Sequence, residues 1–337
     1  MIRRTPGRKL ALLALASLLA LGLAACGDDE PNAADTTTTT EAEEKGSDSI
    51  KITYQDYAYE VSGPLTAGGT IEFANAGTEF HMISAIKLKA GKTLEDVRSL
   101  LTKLSEENGE EGADATTTTT EAKSSATTAG DEGGGEEEDP FAALGDDPGL
   151  PGNVMGPGSE AAVTLPDLEP GNYAIMCFIP TEGEGAPHFT KGMVNELKVV
   201  EGKTPATPSA DATYKVAAGK AVEGPATLTA GKHTLKIEGS GDAGELEPGI
   251  AKANAGTTFA QLDKALSDLF ESDTPPPKGA ASKVPGELTF AGFDLRKSSG
   301  YYLTVDLEPG NWFLVAEDSD DEDDPSPPKE LIQIKVA

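Results

Sequence analysis

The strongest constraint on how this 337-residue chain can fold is that its second half repeats its first. Asp167-Leu-Glu-Pro-Gly-Asn172 recurs letter for letter as Asp306 to Asn311. Three other landmarks recur in the same order. Gly63-Pro64 returns as Gly224-Pro225, and Thr66-Ala67-Gly68 as Thr229-Ala230-Gly231. The helix start Thr93-Leu-Glu-Asp96 returns as Thr258-Phe-Ala-Gln261. Four ordered landmarks point to duplication rather than to a chance turn sequence. Between helix and turn the second copy is shorter, by about the length of a Gly/Glu/Thr-rich stretch at residues 107–139.

Between these landmarks apolar residues recur with a period of two, at Ile50–Tyr54, Tyr57–Val61, Thr70–Asn75, His81–Leu88, Ala161–Leu165, Tyr173–Phe178 and Val194–Val200. Gly/Pro turns separate them, so they read as half-buried strands. One helix per copy is expected, with Leu94, Val97, Leu101 and Leu104 on one face in the first and Leu262, Leu266 and Leu269 in the second. The fold class is therefore all-β: two β-sandwiches in tandem, each with one inserted helix, at residues 49–201 and 212–337. Residues 202–211, with Pro205 and Pro208, read as a linker. Residues 26–48 read as a polar tether, and 107–139, around Thr116–Thr120, as a disordered insertion, because neither offers apolar side chains for a core.

The N-terminus carries an address. Basic Arg3 to Lys9, apolar Leu10 to Ala20 and then small residues make residues 1–25 a secretory signal. Leu23-Ala-Ala-Cys26-Gly27 resembles the lipobox of bacterial lipoproteins, which implies that Cys26 becomes a lipidated N-terminus. No second apolar run approaches the ~20 residues that span a bilayer, so an extracytoplasmic protein anchored to the cell membrane is expected. The formal charge is −30, and more negative once the four basic signal residues are removed. That balance argues against phosphate and nucleic-acid binding. It would suit a basic partner or simply keep the protein in solution. A monomer is expected.

The chain has two cysteines and three histidines. With Cys26 lipidated, Cys177 has no disulfide partner, and a lone thiol in an oxidising compartment should be buried or bound. His188 and Met193 follow it before the next strand. Thiolate, imidazole and thioether are donors that suit copper rather than magnesium or calcium.

This stretch resembles the ligand loop of the cupredoxins, the small blue-copper proteins such as plastocyanin. The resemblance implies a Greek-key sandwich holding one type 1 copper ion, with Cys177, His188 and Met193 supplied by the loop between the last two strands. The remaining ligand would be His81, at the end of Asn75-Ala-Gly77-Thr-Glu-Phe-His81. The His188-to-Met193 spacing matches plastocyanin, whereas the step of 11 from Cys177 to His188 is longer than the family's usual one. Counted from the shared turn, the second copy has Ala316 where the first has Cys177, and Gly244 to Glu247 where it has His81. It reads as a degenerate repeat without copper ligands. The third histidine, His233, falls in a strand and serves as an internal control.

The resemblance implies single-electron transfer, or copper carriage, with an unnamed redox partner. The alternative is a copper-free binding or spacer lipoprotein. No enzyme is expected. A Cys–His hydrolase would need an oxyanion hole and an orienting acid, and no such signature surrounds Cys177. A multicopper oxidase needs far more histidines than three. With no Cys-x-x-Cys, Gly-rich phosphate loop or basic patch, redox-thiol and nucleotide roles lack support.

Overall fold

Alternation builds the first strand. In β1 (Ser47–Gln55), Ile50, Ile52 and Tyr54 are buried, and Lys51 between them is exposed. The same logic continues through β2 (Ala58–Val61), β3 (Leu65–Asn75) and β4 (His81–Leu88). Helix α1 (Leu94–Glu110) follows, then β5 (Gly145–Asp146), β6 (Asn153–Met155), β7 (Glu160–Thr164), β8 (Gly171–Met176) and β9 (Val194–Val200). In the second half lie β10 (Ala212–Val216), β11 (Thr227–Leu228), β12 (Gly231–Gly239), β13 (Leu246–Ala253) and helix α2 (Phe259–Phe270). The chain closes with β14 (Gly286–Ala291), β15 (Tyr301–Leu307), β16 (Gly310–Asp318) and β17 (Leu331–Val336). The computed structural model describes residues 45–110, 139–146, 153–239, 246–270, 274–292, 295, 300–318 and 331–337.

Each half is a two-sheet sandwich, and among the described residues the main pairings match, β2 and β5 being extra to the first half. In the first, β1 runs parallel to β3 and β3 antiparallel to β7; opposite them, β6–β4–β8–β9 pair antiparallel in series. In the second, β10 runs parallel to β12 and β12 antiparallel to β15, opposite the antiparallel series β14–β13–β16–β17. The all-β class and the duplicated architecture expected from sequence are present, including one helix per half.

The two tandem sandwiches do not keep separate cores. Strand β7 pairs antiparallel with β15, Val163 opposite Leu303, and β6 touches β14 at Val154 and Ala291. Equivalent strands thus meet about a pseudo-two-fold axis. An open edge strand exposes a row of unpaired N–H and C=O groups, and pairing it with its own duplicate satisfies both edges at once. Most buried side chains accordingly form one cluster reaching across both halves, with Phe73 and Phe290 packed at 6.4 Å between ring centroids, and a smaller one gathers around Val97 and Leu101 of α1. Residues 201–211 carry no helix or strand.

Both helix starts are capped as their sequences suggest. Thr93 accepts from the Asp96 amide and donates its own amide to the Asp96 carboxylate, while the Thr258 amide donates to the Gln261 side chain. Some boundaries differ. Helix α1 runs to Glu110, past the expected start of the insertion, and β1 begins at Ser47, inside the expected tether. Tyr57, expected in a strand, is the second residue of the two-residue turn between β1 and β2, at φ +70°. The signal, Cys26 and most of the tether and insertion lie outside the described residues, as does the acidic run after Asp318. Among the described residues no helix is long and apolar enough to cross a membrane.

Candidate metal centre

Cys177 follows directly on β8, and His188 opens a short 3-10 turn that leads to β9. They stand eleven positions apart, yet the chain brings them together. Pro180 and Pro187 form a β-bridge, His188 N donates to Ile179 O at 2.9 Å, and Phe189 N donates to Cys177 O at 2.9 Å. Residues 180–187 are therefore a closed protrusion whose stem returns the chain to its starting point. Inside it, the amides of Glu184 and Gly185 both donate to Thr181 O, and Gly183 and Gly185 adopt φ of +77° and +81°. Met193 is fully buried, and its backbone is tied to the same stem through Cys177 N and His188 O.

His81 arrives from the opposite side, at the first position of β4. The segment before it is set by Asn75, whose side chain donates to Glu79 O and Met155 O and accepts from Gly77 N. Gly77 has a steric reason. A Cβ there would lie 2.4 Å from Asp56 Oδ1 and 2.5 Å from His81 Nε2, inside the contact between these two side chains.

The three donors converge. His81 Nδ1 lies 3.1 Å from His188 Nδ1, and His188 Nδ1 lies 3.5 Å from Cys177 Sγ. All three ligand atoms fall within 4.8 Å of one another, and all three side chains are fully buried. The outer nitrogens are spoken for: His81 Nε2 meets Asp56 Oδ1 at 3.2 Å, and His188 Nε2 meets Glu79 Oε2 at 3.1 Å. An ionised carboxylate only accepts, so both Nε2 atoms carry the proton and both Nδ1 atoms present lone pairs. Two lone pairs and a sulfur facing each other at these distances are electrostatically satisfied by a cation between them. The donor set thus fits a metal ion of borderline-soft character.

The ionisation states of the two imidazoles suit binding, while the thiol must lose its proton to a metal. Burial lowers the His81 pKa to about 4, helped by His188 and opposed by Asp56. Burial lowers His188 as well, against the pull of Glu79. Both rings are therefore neutral bases near pH 7, the form that binds metal. For Asp56 and Glu79 burial acts upward but is outweighed. Thr78 and His81 hold Asp56 below the usual carboxylate range, and the Glu182 amide, Tyr57 hydroxyl and His188 do so for Glu79. Burial pushes the Cys177 thiol up to about 12. Its sulfur accepts the Met82 amide at 3.4 Å, a contact ready to support a thiolate.

The fold is cupredoxin-like. Strand pairing follows the pattern implied by the sequence resemblance, and three of the four expected donors, His81, Cys177 and His188, come together. No family model matches the chain, and no curated protein matches it. Among solved structures it is similar to reduced auracyanin from the photosynthetic bacterium Roseiflexus castenholzii, at 19% identity and a TM-score of 0.25, over 46% of this chain and 99% of that one. It is similar to a multicopper oxidase at 12% identity and a TM-score of 0.20, over 86% of this chain and 88% of that one. A blue copper oxidase from Nitrosomonas europaea matches at 13% identity and a TM-score of 0.20, over 86% and 85%.

In the second cupredoxin-like half the same positions are apolar. Strand register places Leu246 where the first half has His81, and Ala316 where it has Cys177, both buried. His233 lies on β12 away from either position, its Nε2 2.8 Å from Thr229 O. Sequence reasoning missed the outer residues of the site: Asp56, Tyr57, Glu79 and Glu182. Two signals were available. Asp56-Tyr57 occupies a two-residue hairpin turn where Asn-Gly would be ordinary, and Glu79 stands two residues before His81. Tyr57 holds a positive φ unusual for an aromatic residue. Its ring packs on His188 at 5.1 Å between centroids, and its hydroxyl donates to Glu79.

Proposed function

We propose that this protein is a single-copper electron carrier, tethered through Cys26 to the outer face of a bacterial membrane, with His81, Cys177, His188 and Met193 as ligands. The observation that carries the reading is the convergence of two carboxylate-anchored imidazoles and one thiol in a fully buried pocket. Bound copper would supply one-electron redox chemistry. The chain's own part is to hold donors and exclude water. Asp56 and Glu79 fix ring orientation and tautomer, the stem at residues 177–179 and 187–189 fixes sulfur against nitrogen, and burial keeps bulk water from the donor atoms. A frame held this firmly keeps reorganisation small between oxidation states, which is the requirement of a carrier rather than of a catalyst.

The copper-free spacer reading draws on the burial of Cys177, which alone would suit a small apolar side chain. Addition of Cu(II) to the metal-free full chain separates the two. The carrier gives an intense visible thiolate-to-copper band at one equivalent, and the spacer gives none. For the anchor, Cys26→Ala should release the protein from membranes or leave an uncleaved precursor. Unchanged retention would refute lipidation.

A further inference from the structure

The second half has Leu246 and Ala316 in place of His81 and Cys177, yet it grips the metal loop. The tip of the Pro180–Pro187 protrusion rests on residues 275–281 of the second half. Gly183 N donates to Pro276 O at 2.6 Å. The Glu182 carboxylate accepts two backbone amides there, those of Gly279 and, at 2.7 Å, Ala281. The fit is tight: a Cβ on Gly183 would lie 2.9 Å from Lys278 Cγ, and one on Gly185 2.7 Å from Pro275 Cγ. Beneath the loop, Phe80 meets Phe270 edge to face at 5.3 Å, so the segment carrying His81 is also held by the second half.

The grip reaches the donor atoms in one unbroken series of hydrogen bonds. While its carboxylate is held by the second half, the Glu182 amide donates to Glu79 Oε2 at 2.9 Å. That same oxygen lies 3.1 Å from His188 Nε2. The other Glu79 oxygen is held by Tyr57.

We propose that the second, ligand-free half is the clamp of the metal loop, and that Glu182 is the positioning residue through which it sets His188. The unusually long Cys177-to-His188 step is then the arm that reaches the clamp. This also gives the second half a task at a site to which it contributes no counterpart of His81 or Cys177. Only the spectroscopic part of the following test rests on the copper reading.

The test uses the full chain as wild type, Glu182→Gln and Glu182→Ala. In metal-free protein, amide hydrogen exchange over residues 179–189 should accelerate about ten-fold or more in Glu182→Ala, with β1 and β12 unchanged, as expected when one local unit is loosened. Glu182→Gln keeps one acceptor and should fall between. With Cu(II), competition against a chelator should show about ten-fold weaker binding in Glu182→Ala, the low end for residues behind metal ligands, and the visible band should move. Exchange at wild-type rates in Glu182→Ala would overturn the clamp. So would an unmoved band and unchanged affinity in a variant that does bind copper. A wild-type chain that gives no band would refute the copper reading alone, and the exchange rates would still decide the clamp.

Discussion

The two halves carry one architecture to opposite ends. At the position of His81 the second half has Leu246, and at the position of Cys177 it has Ala316, each as fully buried as its counterpart. The apolar version needs nothing more. The polar version needs Asp56, Glu79, Thr78, Tyr57 and Asn75 around it to satisfy two buried imidazoles. The same frame closes around apolar side chains at these two positions, so the architecture itself does not require the donors. Buried polar clusters are often no better for stability than apolar side chains of similar volume.

The sharpest way to break the comparison is at the sulfur. Cys177→Ser should abolish the visible band on Cu(II) addition, since the colour requires the copper–thiolate bond; absorbance titration reads this directly.

Exchanging residues between the halves comes next. His81→Leu, which copies Leu246, should remove type 1 colour. In metal-free protein it should leave stability unchanged or raise it by about 1 kcal/mol, because a buried lone-pair contact is replaced by packing. The reciprocal Leu246→His should cost about 2 kcal/mol, since an imidazole would be buried with no carboxylate waiting for it, and should gain no copper. Denaturant unfolding of both variants without metal checks the pair. A large loss in His81→Leu would mean that the cluster is structural.

A smaller effect is expected at the carboxylates. Glu79→Gln leaves an amide facing His188 Nε2 and should weaken copper binding about ten-fold. Asp56→Asn should weaken it less, because Asp56 is partly solvent-exposed. The smallest effect is reserved for His233→Ala, which should change stability by less than about 0.5 kcal/mol and copper binding not at all. If His233 matters as much as His81, the ligand assignment is wrong.

Much of the fold could be read from sequence because each element follows local rules. Alternation marked β4 and β9 to the residue, and Thr93 and Thr258 marked both helix starts. The donors His81, Cys177 and His188 were legible because so few such residues exist in the chain. What could not be read is where strand edges find partners: nothing local in Ala161-Ala-Val-Thr164 says that it will pair with Tyr301-Tyr-Leu-Thr304 rather than with solvent. The carboxylates were missed for a related reason. In a chain with 57 acidic residues, composition cannot single out the few whose partners lie far along the sequence.

On the proposed function, one half should bind copper and the other should not. Native mass spectrometry of the full chain with excess Cu(II), run beside its absorbance titration, tests it most directly. The account predicts one copper per chain, with the blue band saturating at one equivalent and both signals lost in Cys177→Ser. Two coppers per chain, no band, or a band that survives Cys177→Ser would contradict it.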